Sequence, residues 1–302
     1  MDRSHRNALI LLHIIVLVFG ITGILGRLIQ LPADQLVYVR TIIGTLGLMA
    51  AAPIMRFPVV PNRSDWHLHL LTGAIIAAHW LTFFGAIKLA TVSVAVTCLA
   101  SSTVFTALLE PFWYERSVRS YEIALGLVVI LALALIFGLE GEHRIGIAVA
   151  TLSALLAAWF TVINGKLVKR DHAGRIGVYE LGGASLVMGI WLAVDGRLPR
   201  PLWELGTSNI IYLMVLGLVC TSFAFAASIA VMRMLSPFTV SLTINLEPVY
   251  TILIALLIWG EDERLHVGSY LGFALILGAL FVNGWMQQKA RRRSRQAPAL
   301  TV

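Results

Sequence analysis

Long stretches nearly free of Lys, Arg, Asp and Glu recur along the whole chain and are separated by short polar segments. A charged side chain is costly at the centre of a bilayer, and a spanning helix needs about 20 mostly apolar residues. The pattern therefore predicts ten membrane-spanning helices. Their expected ranges are 7–29, 36–55, 66–87, 91–113, 120–139, 145–166, 177–195, 209–232, 236–259 and 267–288. The first stretch runs too far without a cleavage site to be read as a signal peptide, so we interpret it as a retained helix.

Composition supports this interpretation. Of the 302 residues, 58% are hydrophobic and only 13% are charged, and the mean hydropathy is +0.85. Since soluble domains are typically about 25% charged, these values exclude an ordinary soluble globular protein. Cys98 and Cys220 lie inside apolar stretches, which favours a packing role for both over a disulfide or a metal site.

The distribution of positive charge predicts the orientation of the chain. Of the 23 Lys and Arg residues, sixteen fall at the N-terminus, in alternate loops and at the C-terminus, and seven fall on the other side. Cytoplasmic loops carry the excess of Lys and Arg, so both termini are expected in the cytoplasm. The net charge of +7 is explained by loops and a tail that contact anionic lipid. No basic surface is long enough to predict nucleic-acid binding.

The chain contains an internal repeat. A shift of 146 residues superposes Trp113, Glu115, Gly126 and Ile130 on Trp259, Glu261, Gly272 and Ile276 without a gap. The predicted fold is an all-α membrane protein with ten transmembrane helices arranged as two five-helix repeats. Five is odd, so the two repeats are inverted with respect to each other, as is typical of secondary transporters with a substrate site near the midplane. The expected division is a first repeat at 1–141, a second at 142–288 and a basic cytoplasmic tail at 289–302.

Two segments carry a resemblance to a known family. They are "ATVSVAVTCLASSTVFTALLEPFWYER" at 90–116 and "SPFTVSLTINLEPVYTILIALLIWGEDER" at 236–264, each followed by a Gly-containing final helix. The chain resembles the drug/metabolite transporter superfamily in its ten-helix, EamA-type class. The resemblance implies a bacterial inner-membrane carrier that exports amino acids or moves other small metabolites without a cofactor. The sequence departs from the family at "FWYER" and at the two "LEP" triplets.

Glu247 is the strongest candidate functional residue. It lies about midway along the ninth predicted helix, where an ionised carboxylate needs water or a partner. Pro248 removes a backbone donor beside it, so a kink is expected there. The neighbours expected on or beside the same face are Thr239, Thr243, Tyr250 and Thr251. Glu247 is expected to bind a substrate ammonium, a coupling proton, or each in turn. The alternative is a carboxyl group protonated or bonded to a neighbouring helix, with no substrate contact.

Aromatic and amide side chains on two other helices complete the predicted substrate site. His79, Trp80 and Phe83 lie near the middle of the third helix, and Trp159 and Asn164 lie on the sixth. Aromatic rings and an imidazole could stack on and hydrogen-bond an amphipathic solute. The alternative is ordinary core packing, with the histidine bonded to a neighbour.

Lys88 and Arg233 stand before the fourth and ninth helices, at nearly equivalent positions of the two repeats. Because of the inversion, they should lie on opposite sides of the membrane. Each is a candidate gating residue, and the alternative is a long side chain that reaches the interface without a ligand.

Two further charged residues have simple structural interpretations. Arg40 lies near the outer end of the second helix and is expected to pair with Asp34. Glu110 lies near the cytoplasmic end of the fourth helix, where it could be solvated or paired with Arg116 or Arg119.

The sequence therefore favours a secondary transporter that works by alternating access. A Gly-rich phosphate-binding loop with Lys and an HExxH motif are both missing from the sequence, so ATP hydrolysis and zinc-protease activity are not expected. The expected partners are a small-molecule substrate, membrane lipids and a coupling proton, in a monomer or a dimer without cofactor or metal. Alternatives are a carrier for another solute class, such as a cationic drug, a vitamin or a nucleotide sugar, and a membrane enzyme or scaffold that does not transport.

Overall fold

The computed structural model describes residues 3–60, 65–115, 120–139 and 141–296. Throughout these ranges the regular secondary structure is helical. The α-helices are α1 (Arg3–Leu28), α2 (Ala33–Met55), α3 (Trp66–Leu89), α4 (Val92–Leu99), α5 (Ser102–Trp113), α6 (Ser120–Leu139), α7 (Arg144–Leu167), α8 (Ala173–Val194), α9 (Thr207–Met214), α10 (Ala224–Val231), α11 (Pro237–Ile244), α12 (Glu247–Trp259) and α13 (Val267–Gln296). A π-helical segment, Val215–Phe223, joins α9 to α10, and short 3₁₀ turns occur at Gly141–His143, Leu202–Glu204 and Gly260–Glu263.

The helices account for the predicted membrane spans. Among the described residues, nine helical segments are long and apolar enough to cross a bilayer, and α6 holds a shorter apolar stretch at Ala124–Ile136. The protein is thus a multi-pass membrane protein. Each predicted helix is found, with starts within four residues of the expected ones. The last helix, α13, continues to Gln296, so much of the predicted tail is helical, and residues 297–302 lie outside the described ranges.

Two of the spans are broken in the middle, where the sequence predicts continuous helices. The fourth span divides into α4 and α5 at Ala100–Ser101, and the ninth divides into α11 and α12 at Asn245–Leu246. In both cases an eight-residue helix precedes a longer one of twelve or thirteen residues. Pro248 stands in the first turn of α12, where its missing N–H interrupts the helical bonding. The expected kink is therefore a complete break.

Both broken spans start with a side-chain cap. The hydroxyl of Thr91 accepts from the Val94 amide at 3.1 Å, and that of Ser236 accepts from the Thr239 amide at 3.2 Å. Such caps satisfy backbone donors that have no partner within the helix. They fix where α4 and α11 begin.

Contacts at the two ends of the bundle show that α1 and α7 run in opposite directions. At one end, called here the Glu263 end, Arg27 at the close of α1 pairs with Glu263. At the other, called the Asp171 end, Arg233 donates to the Asp171 carbonyl at 2.9 Å. Helix α1 runs toward the Glu263 end, whereas α7 starts there and runs toward the Asp171 end.

The π-helical segment packs closely against α2. Thr221 donates to the Leu216 carbonyl five residues earlier at 2.7 Å, and Ser222 donates across to the Gly44 carbonyl at 2.8 Å. A Cβ atom on Gly44 would lie 2.8 Å from Thr221 Cγ2, so only glycine permits this approach. The wider π turn thereby presents Thr221 to α2, and such turns are frequent at functional sites.

Candidate functional site: a cavity between the two halves of the chain

An interior cavity of about 100 Å³ lies between helices of the N-terminal and C-terminal halves. Its polar lining consists of Thr22, Arg40, His79, Ser102, Thr161, Asn164, Ser228, Ser241 and Glu247, and its aromatic lining of Phe19, Trp80, Phe83, Phe160 and Phe225. Pockets for drug-sized molecules measure about 300–1,000 Å³. The cavity is therefore smaller than a typical pocket for a drug-sized molecule.

Glu247 reaches the cavity because the helix restarts at this residue. It is the first residue of α12, its exposed fraction is 5%, and among the described residues it forms no hydrogen bond or ion pair. One turn later, Thr251 donates to the Gly20 carbonyl of α1 at 3.0 Å. This bond holds α12 against α1 and fixes the direction of the Glu247 side chain.

Thr243 and Tyr250 do not line the cavity in this structure, and their substrate-binding role stays a prediction. The four-residue spacing places Thr243 and Glu247 on one face only if the helix is continuous, and the break at Asn245–Leu246 changes the register. The cavity-lining residues of α11 are Val240, Ser241 and Ile244. Thr243 instead donates to the carbonyl of Thr239 at 2.9 Å, and Tyr250 packs beside Gly20.

His79 is held at the cavity wall by α7. Its Nδ1 lies 2.8 Å from the hydroxyl and 2.9 Å from the carbonyl oxygen of Ser153. The imidazole ring lies 5.3 Å from the Phe160 ring and 6.3 Å from the Phe83 ring between centroids. With Nδ1 committed to Ser153, Nε2 is the ring nitrogen left for a solute.

The cavity face of α7 carries Phe160 and Asn164, but not Trp159. The lining residues Ala157, Phe160, Thr161 and Asn164 have the spacing of one helical face. Trp159 is turned about 100° away from Phe160, and 41% of its surface is exposed on the outside of the bundle. Trp159 therefore does not line the cavity in this structure, and its substrate-binding role stays a prediction.

A second buried carboxyl group stands behind Asn164. The Asn164 amide donates to Glu180 Oε2 at 3.0 Å, and Glu180 is fully buried. The side-chain oxygen of Asn164, Oδ1, has no hydrogen-bond partner among the described residues. Glu180 is absent from the predicted site residues, although an acidic residue within a span is the signal that selected Glu247.

Arg40 is the second charged residue of the cavity lining. It is 1% exposed, and its Nε and Nη2 atoms donate to Thr221 Oγ1 at 3.1 and 2.7 Å. Its guanidinium carbon lies 4.1 Å from the Trp80 ring centroid. Asp34, its predicted partner, pairs with Arg197 at 2.9 Å. That prediction is wrong, because residues six apart in a helix lie on different faces.

Comparison with known proteins agrees with this architecture. The model of the EamA-like transporter family matches residues 6–138 and, a second time, residues 144–285. These two matches cover most of the chain. It belongs to the EamA-like transporter family. The resemblance seen in the sequence is thereby confirmed.

Two individual proteins are similar to this EamA-like transporter over nearly its whole length. An uncharacterized transporter of Bacillus subtilis (strain 168), YxxF, is 23% identical over 287 residues, which cover 92% of this chain and 90% of the relative. A solved crystal structure superposes with a TM-score of 0.67 at 16% identity, covering 91% of this chain and 96% of the other. At this identity the superposition establishes the fold alone.

In this EamA-like transporter each of the two predicted gating residues connects two helix ends within its own half of the chain. Lys88 Nζ donates to the Ile29 carbonyl, just after α1, at 2.9 Å. Arg233 makes the corresponding contact with the Asp171 carbonyl, after α7, at 2.9 Å. Nearby His172 caps α8 by accepting from the Gly174 amide at 3.1 Å. Burial lowers the pKa of His172, and the charge of Arg233 lowers it further.

The contact that joins the two halves at the Glu263 end is made by Glu263. Its carboxylate is fully buried and accepts from the amides of Val92 and Ser93, at 3.1 and 2.7 Å, at the start of α4. It also pairs with Arg27, which stacks over the Trp259 ring at 4.3 Å. We call this group the Glu263 latch; it consists of Glu263, Val92, Ser93, Arg27 and Trp259. Glu263 is absent from the predicted site residues, although it lies within the family-like segment "IWGEDE".

The pairing of Glu110 with Arg116 or Arg119 concerns residues 116–119, which lie outside the described ranges.

Proposed function

We propose that this protein is a secondary transporter that exports amino acids or similarly small amphipathic metabolites across a bacterial cell membrane by alternating access. The observation that carries this proposal is the aromatic-walled cavity with a buried, unpaired carboxyl group at the start of a half-helix. Transporters commonly bind substrates and coupling ions where discontinuous helices meet at the midplane. Glu247 stands at such a place.

The internal repeat supports the same proposal. Helices α1 and α7 run in opposite directions, and the fourth and ninth spans break after eight residues in both halves. We assign residues 1–141 and 142–288 to two inverted five-helix repeats. The break faces the cavity in both, with Ser102 lining it at the start of α5 and Glu247 at the start of α12.

In the proposed mechanism, Glu247 binds either the ammonium group of the solute or a proton, and the mouths of the cavity open in turn. His79, Trp80, Phe83 and Asn164 surround the solute. The distribution of Lys and Arg supports cytoplasmic termini, which places the Asp171 end in the cytoplasm and the Glu263 end outside.

The test is counterflow of labelled amino acids, both aromatic and aliphatic, into proteoliposomes that contain the wild type or Glu247→Gln. We expect saturable exchange by the wild type that depends on pH, and loss of exchange or of its pH dependence in Glu247→Gln. The glutamine keeps the size of the side chain but holds neither a negative charge nor a titrating proton.

The outcomes separate the candidate functions. Wild-type exchange that Glu247→Gln reproduces at every pH would remove the role of Glu247. Failure to exchange any amino acid, with exchange of organic cations instead, would replace the substrate class by cationic drugs. Absence of exchange with every solute tested would favour a membrane protein that does not transport.

A further inference from the structure

Arg40 is a charged group without a charged partner in the interior of a membrane protein. Among the described residues no carboxylate forms an ion pair with it, and its Nη1 atom has no hydrogen-bond partner. In the part of the chain that the structure describes, the Thr221 hydroxyl alone accepts from the guanidinium. The Trp80 and Phe84 rings lie against it, at 4.1 and 5.1 Å from the guanidinium carbon. Such an arrangement orients the guanidinium but leaves its charge uncompensated.

The cavity also contains a group of opposite charge that Arg40 does not contact. Glu247 lines the same cavity, and the two side chains share neither a hydrogen bond nor an ion pair. A simple cation bound at Glu247 would leave Arg40 uncompensated, and a simple anion bound at Arg40 would do the same to an ionised Glu247. A solute that carries both charges satisfies both groups at once.

We infer that Arg40 is the anion-binding residue of the cavity and that the solute is a zwitterion, whose carboxylate binds Arg40 and whose ammonium binds Glu247. This inference rests on the proposed transport function and specifies its substrate class. The free Nη1 atom and the planar guanidinium suit a carboxylate, since arginine recognises planar anions through parallel hydrogen bonds. The bond from Nη2 to Thr221 and the stacking on Trp80 hold the guanidinium in place for this contact.

The experiment measures binding to purified protein with three matched compounds: phenylalanine, phenylalaninamide and 3-phenylpropionate. The amide lacks the carboxylate and the propionate lacks the amine, while the ring is the same. Corresponding sets built on leucine and alanine cover smaller side chains. We expect wild-type protein to bind the zwitterion at least about tenfold more tightly than the amide, as charge-assisted hydrogen bonds in a dry site predict.

In Arg40→Gln, the zwitterion should bind no more tightly than the amide, whereas affinity for the amide should change little. Arg40→Lys, which keeps the charge but not the fork of donors, should retain an intermediate preference. Arg197→Gln is the matched control, because Arg197 pairs with Asp34 outside the cavity. If Arg40→Gln does not fold, Glu247→Gln provides the test, since it keeps Arg40 and should bind 3-phenylpropionate at least as tightly as the wild type.

The inference is overturned if the wild type shows no preference for the zwitterion over the amide in any of the three sets, including the case of no binding. It is also overturned if Arg40→Gln keeps the preference. Its failure is distinguishable from failure of the transport function. Counterflow of amines without a carboxylate preference removes the role of Arg40 alone, whereas an Arg40-dependent preference without counterflow removes transport alone.

Discussion

Trp159 and Phe160 are consecutive aromatic residues of α7 with opposite environments. Phe160 lies against His79 and, at 6.3 Å between ring centroids, against Phe225 on α10. Trp159 lies on the outer surface of the bundle, where an indole ring suits a lipid environment. Which of the two lines the cavity is therefore decided by the rotation of one helix, not by the chemistry of the ring.

This pair gives a direct test of the cavity. In Phe160→Ala, loss of the ring should raise the KM for the transported solute several-fold, because a buried aromatic contact is worth about 1 kcal/mol beyond its area. In Trp159→Ala, KM and maximal rate should stay within about twofold of the wild type. Initial rates of counterflow at varied substrate concentration measure both. A larger effect at Trp159 than at Phe160 would contradict the assignment of the cavity.

From the sequence, Glu247 could be selected as a residue of the cavity lining, but Arg40, the other charged residue of that lining, could not. Glu247 stands out because an acidic residue in an apolar stretch is costly, and the same reasoning applies to Arg40 and Glu180. Arg40 lies only a few residues from the start of its span, so a pairing at the membrane surface was the simpler expectation. The spacing around Thr243 failed because it assumed an unbroken helix.

At the scale of elements, the charge pattern predicted the spans well because the bilayer penalises charge at any position in a long helix. The charge pattern does not predict the helix breaks. Pro248 marks one break, but the break at Ala100–Ser101 has no proline at the equivalent place. The π-helical segment likewise depends on packing against α2, through Thr221 and Gly44, and has no local signal in the sequence.

Helices α3 and α8 cross so closely that backbone meets backbone. A Cβ atom on Gly73 would lie 2.6 Å from the Glu180 carbonyl oxygen and 3.1 Å from the Ala184 amide nitrogen. Membrane helices commonly approach each other at such small residues. This crossing holds α8, and with it Glu180, against the first half of the chain.

We predict that Gly73→Ala lowers the melting temperature of the purified protein in detergent by several degrees. The added methyl group must push two backbones apart, and overpacking of this kind costs about 1–3 kcal/mol. Gly85→Ala on the same helix is the control, because a Cβ atom there meets nothing within 4 Å. Equal melting temperatures for the two variants would show that α3 and α8 are not packed as described.

At the scale of the whole molecule, the two ends of the bundle are held together by different means. The Glu263 latch joins residues of both halves, since Glu263 follows α12 while Val92, Ser93 and Arg27 belong to the first half. The 146-residue repeat places Ser117 at the position of Glu263, and serine supplies no carboxylate. Lys88 and Arg233 act within their own halves. At the Glu263 end, the amides of Val92 and Ser93 both donate to one buried carboxylate, and Asp262 adds only a longer contact to Arg27, at 3.7 Å.

Replacing that carboxylate should loosen the Glu263 end. In Glu263→Gln the pair with Arg27 is lost and the bonds to the α4 amides weaken, each bond to the charged group having been worth about 1.5–3 kcal/mol. In the proposed orientation the Glu263 end faces outward. The readout is labelling of Ser102→Cys, which lines the cavity, by a membrane-impermeant thiol reagent added outside cells, with Cys98 and Cys220 replaced by alanine. We expect labelling to be at least several-fold faster with Glu263→Gln. Glu261→Gln is the matched control, because Glu261 is exposed and forms an ion pair with Arg264, at 2.8 Å, outside the latch. If the two variants label at the same rate, the latch does not close the cavity to the outside, and the proposed alternating access would depend on other contacts in the bundle.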